Sequence, residues 1–206
     1  MVLFAPMGRA FSGSDWEMID LLHELMEKKG VKDSQLLVRF QPNDFLDEEE
    51  LRERPWLKYD MPGIRFGTVR GGDWDMGFPE LAHLRDTLAY TSVLVSYASS
   101  MSIDAAIFGK PVINIVFEIK PVVRMSESPT LYYHTEHYKK ALTSGGMRLV
   151  ASKEELVKWL NAYLADPSLD RQTRERLVSE QCFRLDGRAG ERIARVITAS
   201  IKKAKS

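Results

Sequence analysis

The chain has 206 residues, which suits one domain with a substantial hydrophobic core. Lys plus Arg and Asp plus Glu each number 29, whereas a protein that coats nucleic acid normally carries a basic excess. A single cysteine excludes a disulfide framework, and no apolar run reaches the roughly 18 to 20 residues of a membrane span, so we expect a cytoplasmic protein that binds no nucleic acid.

The first 40 residues predict a strand, a loop, a helix and a second strand. Val2 to Ala5 is a short apolar run, and Gln35 to Phe40 is the next one. Between them, Ser14 and Glu17 form a capping-box pattern ahead of apolar residues at helical spacing. Because the chain opens directly on a buried strand, we expect it to be cut from a longer chain.

The next 60 residues are less regular. Asn43 to Tyr59 is polar and acidic, which favours a solvated short helix. Ile64 to Val69 is predicted to be the third strand, and Gly71 to Gly77 a loop. Pro79 suits the first turn of a helix, and Val93 to Tyr97 is the strand that follows it.

The second half continues the alternation. A helix is predicted from Ser99 to Gly109, and a strand from Pro111 to Phe117. Glu118 to Ser144 reads as irregular and aromatic, a second capping box at Ser152 opens a helix, and Leu169 to Lys205 reads as further helix. Strands that alternate with helices predict a doubly wound α/β domain with a parallel sheet and flanking helices. Such sheets bind ligands at the carboxyl ends of their strands, where the strand order reverses.

The most informative stretch runs from Val93 to Phe117. A buried strand leads into Ser99 and Ser100, where a helix begins that carries Asp104. Free backbone N–H groups at a helix start favour an anion, and the two hydroxyls can donate to phosphate oxygens. Equally, a serine there can simply cap the helix, and Asp104 can simply compensate the helix dipole.

This stretch resembles the second-domain signature of GT-B glycosyltransferases. It is most similar to the branch of CDP-glycerol glycerophosphotransferases and capsular polysaccharide transferases, which has Ser-Ser, an acidic residue and then Gly-Lys-Pro-Val-Ile. Here these are Ser99, Ser100, Asp104 and Gly109 to Ile113. Looser likenesses are Pro6 to Arg9, Gly145-Gly146, Ser152 to Leu156, Asp166-Pro167 and Asp186 to Ala189.

The resemblance implies a Rossmann-like fold, the C-terminal half of a GT-B enzyme, over residues 1–206. Ser99 and Ser100 would bind the diphosphate of a nucleotide-sugar or CDP-alcohol donor, and Asp104 would stand near the ribose or the donor group. Gly8 would let the first loop approach the donor, while Arg9 would meet phosphate charge or would be an ordinary surface arginine. An N-terminal acceptor domain or a partner subunit would complete the enzyme.

The sequence also departs from this family. Many GT-B domains carry an Asp-Gln pair after the Gly-x-Pro strand, where this chain has Glu118 and an aromatic segment. His134, Glu136 and His137 in that segment are candidates for a donor or acceptor pocket, and the alternative is a mobile aromatic loop. No catalytic role transfers to any of them.

Asp73-Trp74-Asp75 is an acid-x-acid triplet. In GT-A enzymes such a triplet holds a divalent ion against the diphosphate, and two carboxylates would suit Mg²⁺. GT-B domains usually replace the metal with basic groups and a helix dipole. We therefore interpret the triplet as a turn with exposed acids, and expect neither a metal nor a cofactor, although Mg²⁺ is compatible with the donor.

The sequence thus predicts the donor-binding domain of a glycosyltransferase for surface polysaccharide or glycolipid synthesis, a function compatible with peripheral membrane association. A nucleotide-sugar 2-epimerase on the same scaffold is one alternative. A non-catalytic module that docks to a partner through Tyr132 to Tyr138 is another.

Overall fold

A computed structural model describes residues 1–28, 30–31, 33–42, 44, 46–67 and 74–204 of the chain. Its helices and strands follow in chain order: β1 (Val2–Ala5), α1 (Asp15–Glu27), β2 (Leu36–Arg39), α2 (Glu48–Glu53), β3 (Tyr59–Asp60), β4 (Ile64–Arg65), β5 (Trp74–Asp75), α3 (Phe78–Tyr90), β6 (Val93–Ser96), α4 (Met101–Ile107), β7 (Val112–Ile115), α5 (Glu136–Thr143), β8 (Arg148–Val150), α6 (Lys153–Ala165), α7 (Arg171–Cys182) and α8 (Ala189–Ala204). Two 3₁₀ segments, Met125–Glu127 and Pro129–His134, precede α5.

Six parallel strands form one twisted sheet in the order β3-β2-β1-β6-β7-β8. The chain winds outward from β1 in one direction, returns to the other side of β1 at β6, and then winds outward again. The predicted doubly wound α/β fold is confirmed. The order reverses between β1 and β6, and this junction creates the crevice in which such folds bind ligands.

Helices cover both faces of the sheet, which explains why its central strands are apolar throughout. All four residues of β1, β6 and β7 are buried. On one face, Leu22 of α1 packs with Leu156 and Leu160 of α6. On the other, Leu88 of α3, Ala105 of α4 and Leu177 of α7 form a second core. A parallel sheet that is buried on both faces requires such continuous apolar runs.

The prediction for the third strand was wrong. Tyr59–Asp60, two residues long, extends the main sheet beside β2. Ile64–Arg65 instead pairs antiparallel with Trp74–Asp75 in a separate hairpin. Gly63 has φ +85°, and this turn takes the chain out of the sheet. Val69, at the end of the predicted strand, lies outside the described residues.

Two elements of the second half were missed. The segment predicted to be irregular contains α5, whose Tyr138 and Ala141 are buried. The strand β8 follows a glycine pair and pairs with β7, although it has only three residues. The acidic helix predicted within 43–59 is confirmed as α2.

The two capping boxes behave differently. Ser152 accepts a hydrogen bond from the N–H of Glu155 at 3.2 Å, and the Glu155 carboxylate accepts one from the N–H of Ala151 at 2.7 Å. Ser14 stands at the N-cap of α1, but its side chain makes no capping bond. That side chain is buried. The capping pattern therefore predicted the start of α1 correctly but not the hydrogen bonds of its N-cap residue.

Gly146 permits the closest backbone approach in the second half of the domain. A Cβ atom there would lie 2.7 Å from both the Leu177 Cβ and the Thr173 carbonyl oxygen on α7. We expect Gly146→Ala to lower the free energy of unfolding by about 1 to 3 kcal/mol, because backbone atoms must move. Chemical denaturation measures this. Gly190→Ala, with open space around the new Cβ, is the control that should leave stability unchanged or slightly higher. Equal stabilities of the two variants would contradict this account.

The last helix is amphipathic and its apolar face is exposed. Ile193, Val196, Ile197 and Ile201 are each more than half exposed. Within the described part of the chain, no helix is both long and apolar enough to cross a membrane.

Candidate functional site

A cleft of about 430 Å³ opens at the carboxyl ends of β1, β2 and β6, at the junction where the strand order reverses. Its volume lies within the range of small-molecule sites. The wall is mostly apolar and aromatic, with few polar groups. The lining residues are Ala5, Pro6, Met7, Phe11, Arg39, Phe40, Gln41, Pro42, Pro62, Met76, Leu84, Ala98, Ser99, Ser100, Met101 and Tyr132.

Arg39 supplies the positive charge of this cleft, and sequence reasoning missed it. It is the last residue of β2 and only 4% exposed. Its guanidinium donates to the carboxylate of Asp60 at the end of β3, and that carboxylate also lies 3.1 Å from the Nε2 of His83. The sequence feature that could have identified Arg39 is its position as the last residue of the otherwise apolar strand β2. A buried guanidinium held by one carboxylate retains N–H donors for an anion.

Ser99 and Ser100 both line the cleft, but they differ in what they bond. The Ser99 hydroxyl accepts a hydrogen bond from the Met101 N–H at 3.3 Å, so it caps the short helix α4. Ser100 stands at the N-cap without a side-chain capping bond and is exposed. Because α4 has only seven residues, its dipole contributes less to anion binding than the sequence interpretation assumed. The two serine hydroxyls and Arg39 would therefore contribute more to anion binding than the dipole of α4 does.

A buried polar network fixes the loop that carries these serines. The Nδ2 of Asn114 on β7 lies 2.9 Å from the Tyr97 carbonyl and 3.0 Å from the Ser96 hydroxyl. The Tyr138 hydroxyl of α5 lies 3.0 Å from the Asn114 Oδ1 and 3.1 Å from the Ser102 hydroxyl. All of these side chains are buried. The network thus ties β6, α4, β7 and α5 together directly beneath the cleft.

Gly8 and Arg9 lie in the loop after β1, as predicted, but neither lines the cleft. Gly8 has φ +85°, and a Cβ there would lie 2.6 Å from the Asp44 Oδ2. Arg9 donates its backbone N–H to Asp44 at 2.8 Å, and its side chain lies 3.5 Å from the same carboxylate. Both residues line a neighbouring cavity of about 290 Å³. Their roles toward a donor stay predictions.

Asp15, the first residue of α1, is the most perturbed acid in that neighbouring cavity. Its Oδ2 accepts a hydrogen bond from the Gly8 N–H at 2.7 Å. Its Oδ1 is buried and, among the described residues, has no hydrogen-bond partner. Burial raises the pKa of Asp15 to about 6, although hydrogen bonds from the Ser12 side chain and from the Gly8 and Met7 backbone lower it, and the nearby charge of Asp44 adds slightly to the rise. In the sequence, Asp15 has only the pattern of an acid in the first turn of a helix.

Asp104 is half-buried on α4 and is not part of the cleft lining. Burial raises the pKa of its carboxyl. Its charge also raises the pKa of the Cys182 thiol, which is shifted mainly by burial, so Asp104 lies near the end of α7. Its backbone N–H donates to the Ser100 carbonyl at 3.1 Å, one turn earlier in the chain, but Asp104 does not line the cleft with Ser99 and Ser100. Its predicted contact with a ribose or donor group stays a prediction.

The aromatic segment from Tyr132 to Tyr138, which runs into the first turn of α5, contains both buried and exposed side chains. Tyr133 and Tyr138 are buried, with their rings packed edge to face at 5.6 Å. His134, Glu136 and His137 are exposed and do not line the cleft. Tyr132 lines the cleft and packs edge-on against Phe11 at 5.4 Å. The segment is therefore an anchored wall of the cleft, because two of its three tyrosines are core residues. A partner protein that docks on this segment would have to contact side chains other than the buried Tyr133 and Tyr138.

The acid triplet is only partly described. Asp73 lies outside the described residues. Asp75 is exposed in β5, and its carboxylate accepts a hydrogen bond from the Met76 N–H at 2.8 Å. In the ranges that the structure describes, no three His, Cys, Asp or Glu side chains converge closely enough to hold a metal ion.

Comparisons with known proteins place the fold. No protein-family model matches the chain, and a search of curated proteins finds no match. Among solved structures, a variant of the wall teichoic acid polymerase TagF soaked with CDPG matches with a TM-score of 0.52 at 15% identity, covering 100% of this chain and 42% of that one. The S. aureus MnaA–UDP co-structure matches with a TM-score of 0.51 at 14% identity, covering 98% of this chain and 45% of that one.

The chain therefore shares the α/β fold of these two structures, with a parallel six-stranded sheet and flanking helices. At these identities the likeness establishes the fold and leaves donor, acceptor and branch open. The chain spans less than half the length of either structure.

Proposed function

We propose that this chain is the donor-binding part of a GT-B glycosyltransferase, and that it holds a nucleotide-diphosphate sugar or CDP-alcohol in the cleft at the strand-order reversal. The observation that carries the proposal is the position of Arg39, Ser99 and Ser100 around one cleft. Polar groups that converge in an otherwise apolar pocket are typical of a ligand site.

Each part of the cleft has a chemical role in this proposal. Arg39 and the Ser99 and Ser100 hydroxyls would donate to the diphosphate and stabilise the charge that develops as the donor bond breaks. The rings of Phe11 and Tyr132 would give the nucleobase an apolar wall. The structures similar in fold include one soaked with CDPG and one with UDP, which supports a nucleotide ligand.

The acceptor would be supplied by another domain or subunit. Support comes from the length of the chain, which covers less than half of the GT-B structures it resembles, and from the exposed apolar face of α8. We propose a cytoplasmic enzyme of surface polysaccharide or glycolipid synthesis. Alone, this chain should bind donor and transfer nothing.

Thermal denaturation in the presence of UDP, CDP, GDP and ADP, with and without Mg²⁺, tests the donor site. A ligand at about 100 times its dissociation constant stabilises a domain by about 2.7 kcal/mol, which for this size raises Tm by roughly 5 to 10 °C. We expect one base to give this shift, and we expect Ser100→Ala to reduce it. Ser100 is exposed, so its replacement should leave the fold intact.

Ser200→Ala on α8 is the matched control, since Ser200 is an exposed serine that does not line the cleft. A well-folded protein whose Tm responds to none of the four nucleotides would refute the donor site as a property of this chain alone. Epimerisation of a UDP-sugar without an acceptor would identify the epimerase alternative. A shift that requires Mg²⁺ would direct attention to Asp75 and Asp73.

A further inference from the structure

Three side chains from three elements meet beside the donor cleft and share one carboxylate. Arg39 ends β2 and lines the cleft, Asp60 ends β3, and His83 lies on α3. Arg39 and Asp60 are cross-strand neighbours, and the Asp60 carboxylate accepts a hydrogen bond from the Arg39 guanidinium. The Nε2 of His83 lies 3.1 Å from the same carboxylate oxygen. The Asp60 carboxylate therefore connects His83 to the positive charge of the cleft.

Burial divides this cluster into an inner ion pair and an outer histidine. The side chain of Arg39 is 4% exposed and that of Asp60 15%, whereas that of His83 is 54% exposed. Water and protons therefore reach the imidazole readily, while the ion pair behind it is largely shielded from solvent. Because shielded charges are screened only weakly, a change of charge on His83 acts on Arg39 through the shared carboxylate.

The net charge of the cluster depends on the protonation of His83. Histidine is the side chain that gains or loses its charge between about pH 5 and 8. With a neutral imidazole, the charges of Arg39 and Asp60 cancel. With a protonated imidazole, the Asp60 carboxylate is shared between two cations, and the cluster carries one net positive charge. Arg39 is then less completely neutralised, so the cleft attracts a diphosphate more strongly.

The neighbours of His83 on α3 are carboxylates. Glu80 and Asp86 lie one turn before and one turn after it. The Glu80 carboxylate accepts a hydrogen bond from the Gly63 N–H at 3.2 Å, and Asp86 pairs with Arg85 at 2.7 Å. Neither carboxylate lines the cleft. A proton taken up by the imidazole therefore adds positive charge among carboxylates, on the side of the cleft where Arg39 lies.

We propose that His83 is a positioning residue for the donor: through the Asp60 carboxylate it sets how strongly Arg39 attracts the diphosphate, so that the donor binds more tightly when His83 is protonated. This role rests on the proposed donor site and adds to it a residue that lies outside the cleft lining. Binding of the donor then depends on pH near neutrality.

Calorimetric titration of the whole chain at pH 6 and pH 8 tests the proposal. The probes are UDP-glucose, CDP-glycerol, GDP-mannose and ADP-glucose, whose diphosphate is esterified at both ends and keeps its charge over this range. For each probe that binds, we expect an affinity about three- to ten-fold higher at pH 6, the effect of one charge added near a partly exposed anion site. Equal affinities at both pH values would overturn the role of His83 and leave the donor site standing. No binding of any probe at either pH would refute the donor site and this role with it.

Two substitutions of His83 separate its charge from its shape. His83→Gln should remove most of the difference between pH 6 and pH 8. His83→Lys keeps a positive charge at both values, so at pH 8 it should bind the probe about three- to ten-fold more tightly than the unmodified chain. A residue with a purely structural role would not produce this gain. Both variants should fold, because the side chain is more than half exposed. Unchanged pH dependence in a folded His83→Gln protein would overturn the proposal.

Two control variants test whether other titrating groups cause the effect. His137→Gln alters an exposed histidine on α5 that does not line the cleft, and it should keep the full pH dependence. Asp15 also titrates in this range, because burial raises its pKa to about 6, but it lines the neighbouring cavity. Asp15→Asn should therefore retain most of the difference. Loss of the pH dependence in either control would assign the effect to that residue and overturn the role of His83.

Discussion

Replacing Asn114 with alanine should lower the free energy of unfolding by about 3 kcal/mol. Asn114 is fully buried in the centre of β7. Its amide nitrogen lies within 3.1 Å of the Tyr97 carbonyl and of the Ser96 and Ser102 hydroxyls, and its carbonyl oxygen accepts from the Tyr138 hydroxyl at 3.0 Å. Alanine would remove all of these bonds, at about 0.5 to 1.5 kcal/mol each, and would leave the Tyr97 carbonyl and the three hydroxyls only the bonds that they make with one another.

Urea denaturation measures this change as a lower midpoint at an unchanged slope. Asn161→Ala is the matched control. Asn161 is partly buried on α6, and its amide donates to the Gly30 and Val157 carbonyls, so we expect a loss of only about 1 kcal/mol. If the Asn114 variant lost no more than the Asn161 variant, the network would not be the anchor described here.

The same substitution bears on function, because the network holds the chain immediately before the serine loop. The Tyr97 carbonyl is one of its acceptors, and Ser99 and Ser100 follow two and three residues later. An Asn114→Ala protein that is still folded should therefore respond less to nucleotide than Ser100→Ala does, since both hydroxyls would lose their fixed positions.

The layout of the fold could be predicted because the information for it is local. The strands at Val2–Ala5, Val93–Ser96 and Val112–Ile115 are short apolar runs bounded by turn residues, and the helices between them carry apolar stripes. The alternation fixes a parallel sheet, and such sheets place their sites at the carboxyl ends of strands. Ser99 and Ser100 could therefore be placed at a cleft from sequence.

What could not be predicted depends on contacts between distant segments. Tyr59–Asp60 joins the sheet only because β2 offers a free edge, whereas the more β-prone run at Ile64 forms a separate hairpin. In the sequence, Arg39 has the pattern of an exposed residue at the end of a strand. It is buried because it pairs with Asp60, which lies 21 residues later in the chain. Asp15 looks like an ordinary first-turn acid, and only the folding of the loop after β1 over it makes it buried.

Asp15→Asn should make the protein more stable at neutral pH by about 3 kcal/mol. Burial raises the pKa of Asp15 from 3.8 to about 6, so the folded state binds this proton more tightly than the unfolded state does. A group of this kind favours the folded state below its unfolded pKa and opposes it above its folded pKa. A difference of roughly two pKa units corresponds to about 3 kcal/mol, which is fully expressed above pH 6 and absent below about pH 4.

Urea denaturation of both proteins at pH 7.5 and pH 4 measures the difference. At pH 7.5 the asparagine variant should be the more stable, and at pH 4, where Asp15 is protonated in the folded state, the two should be nearly equal. Glu136→Gln, which alters an exposed acid, should show no such pH-dependent gain. A variant that is less stable at pH 7.5, or a difference that does not change with pH, would show that Asp15 is not a destabilised carboxylate. If the gain is observed, Asp15 is a buried carboxylate that the protein retains at a cost of stability.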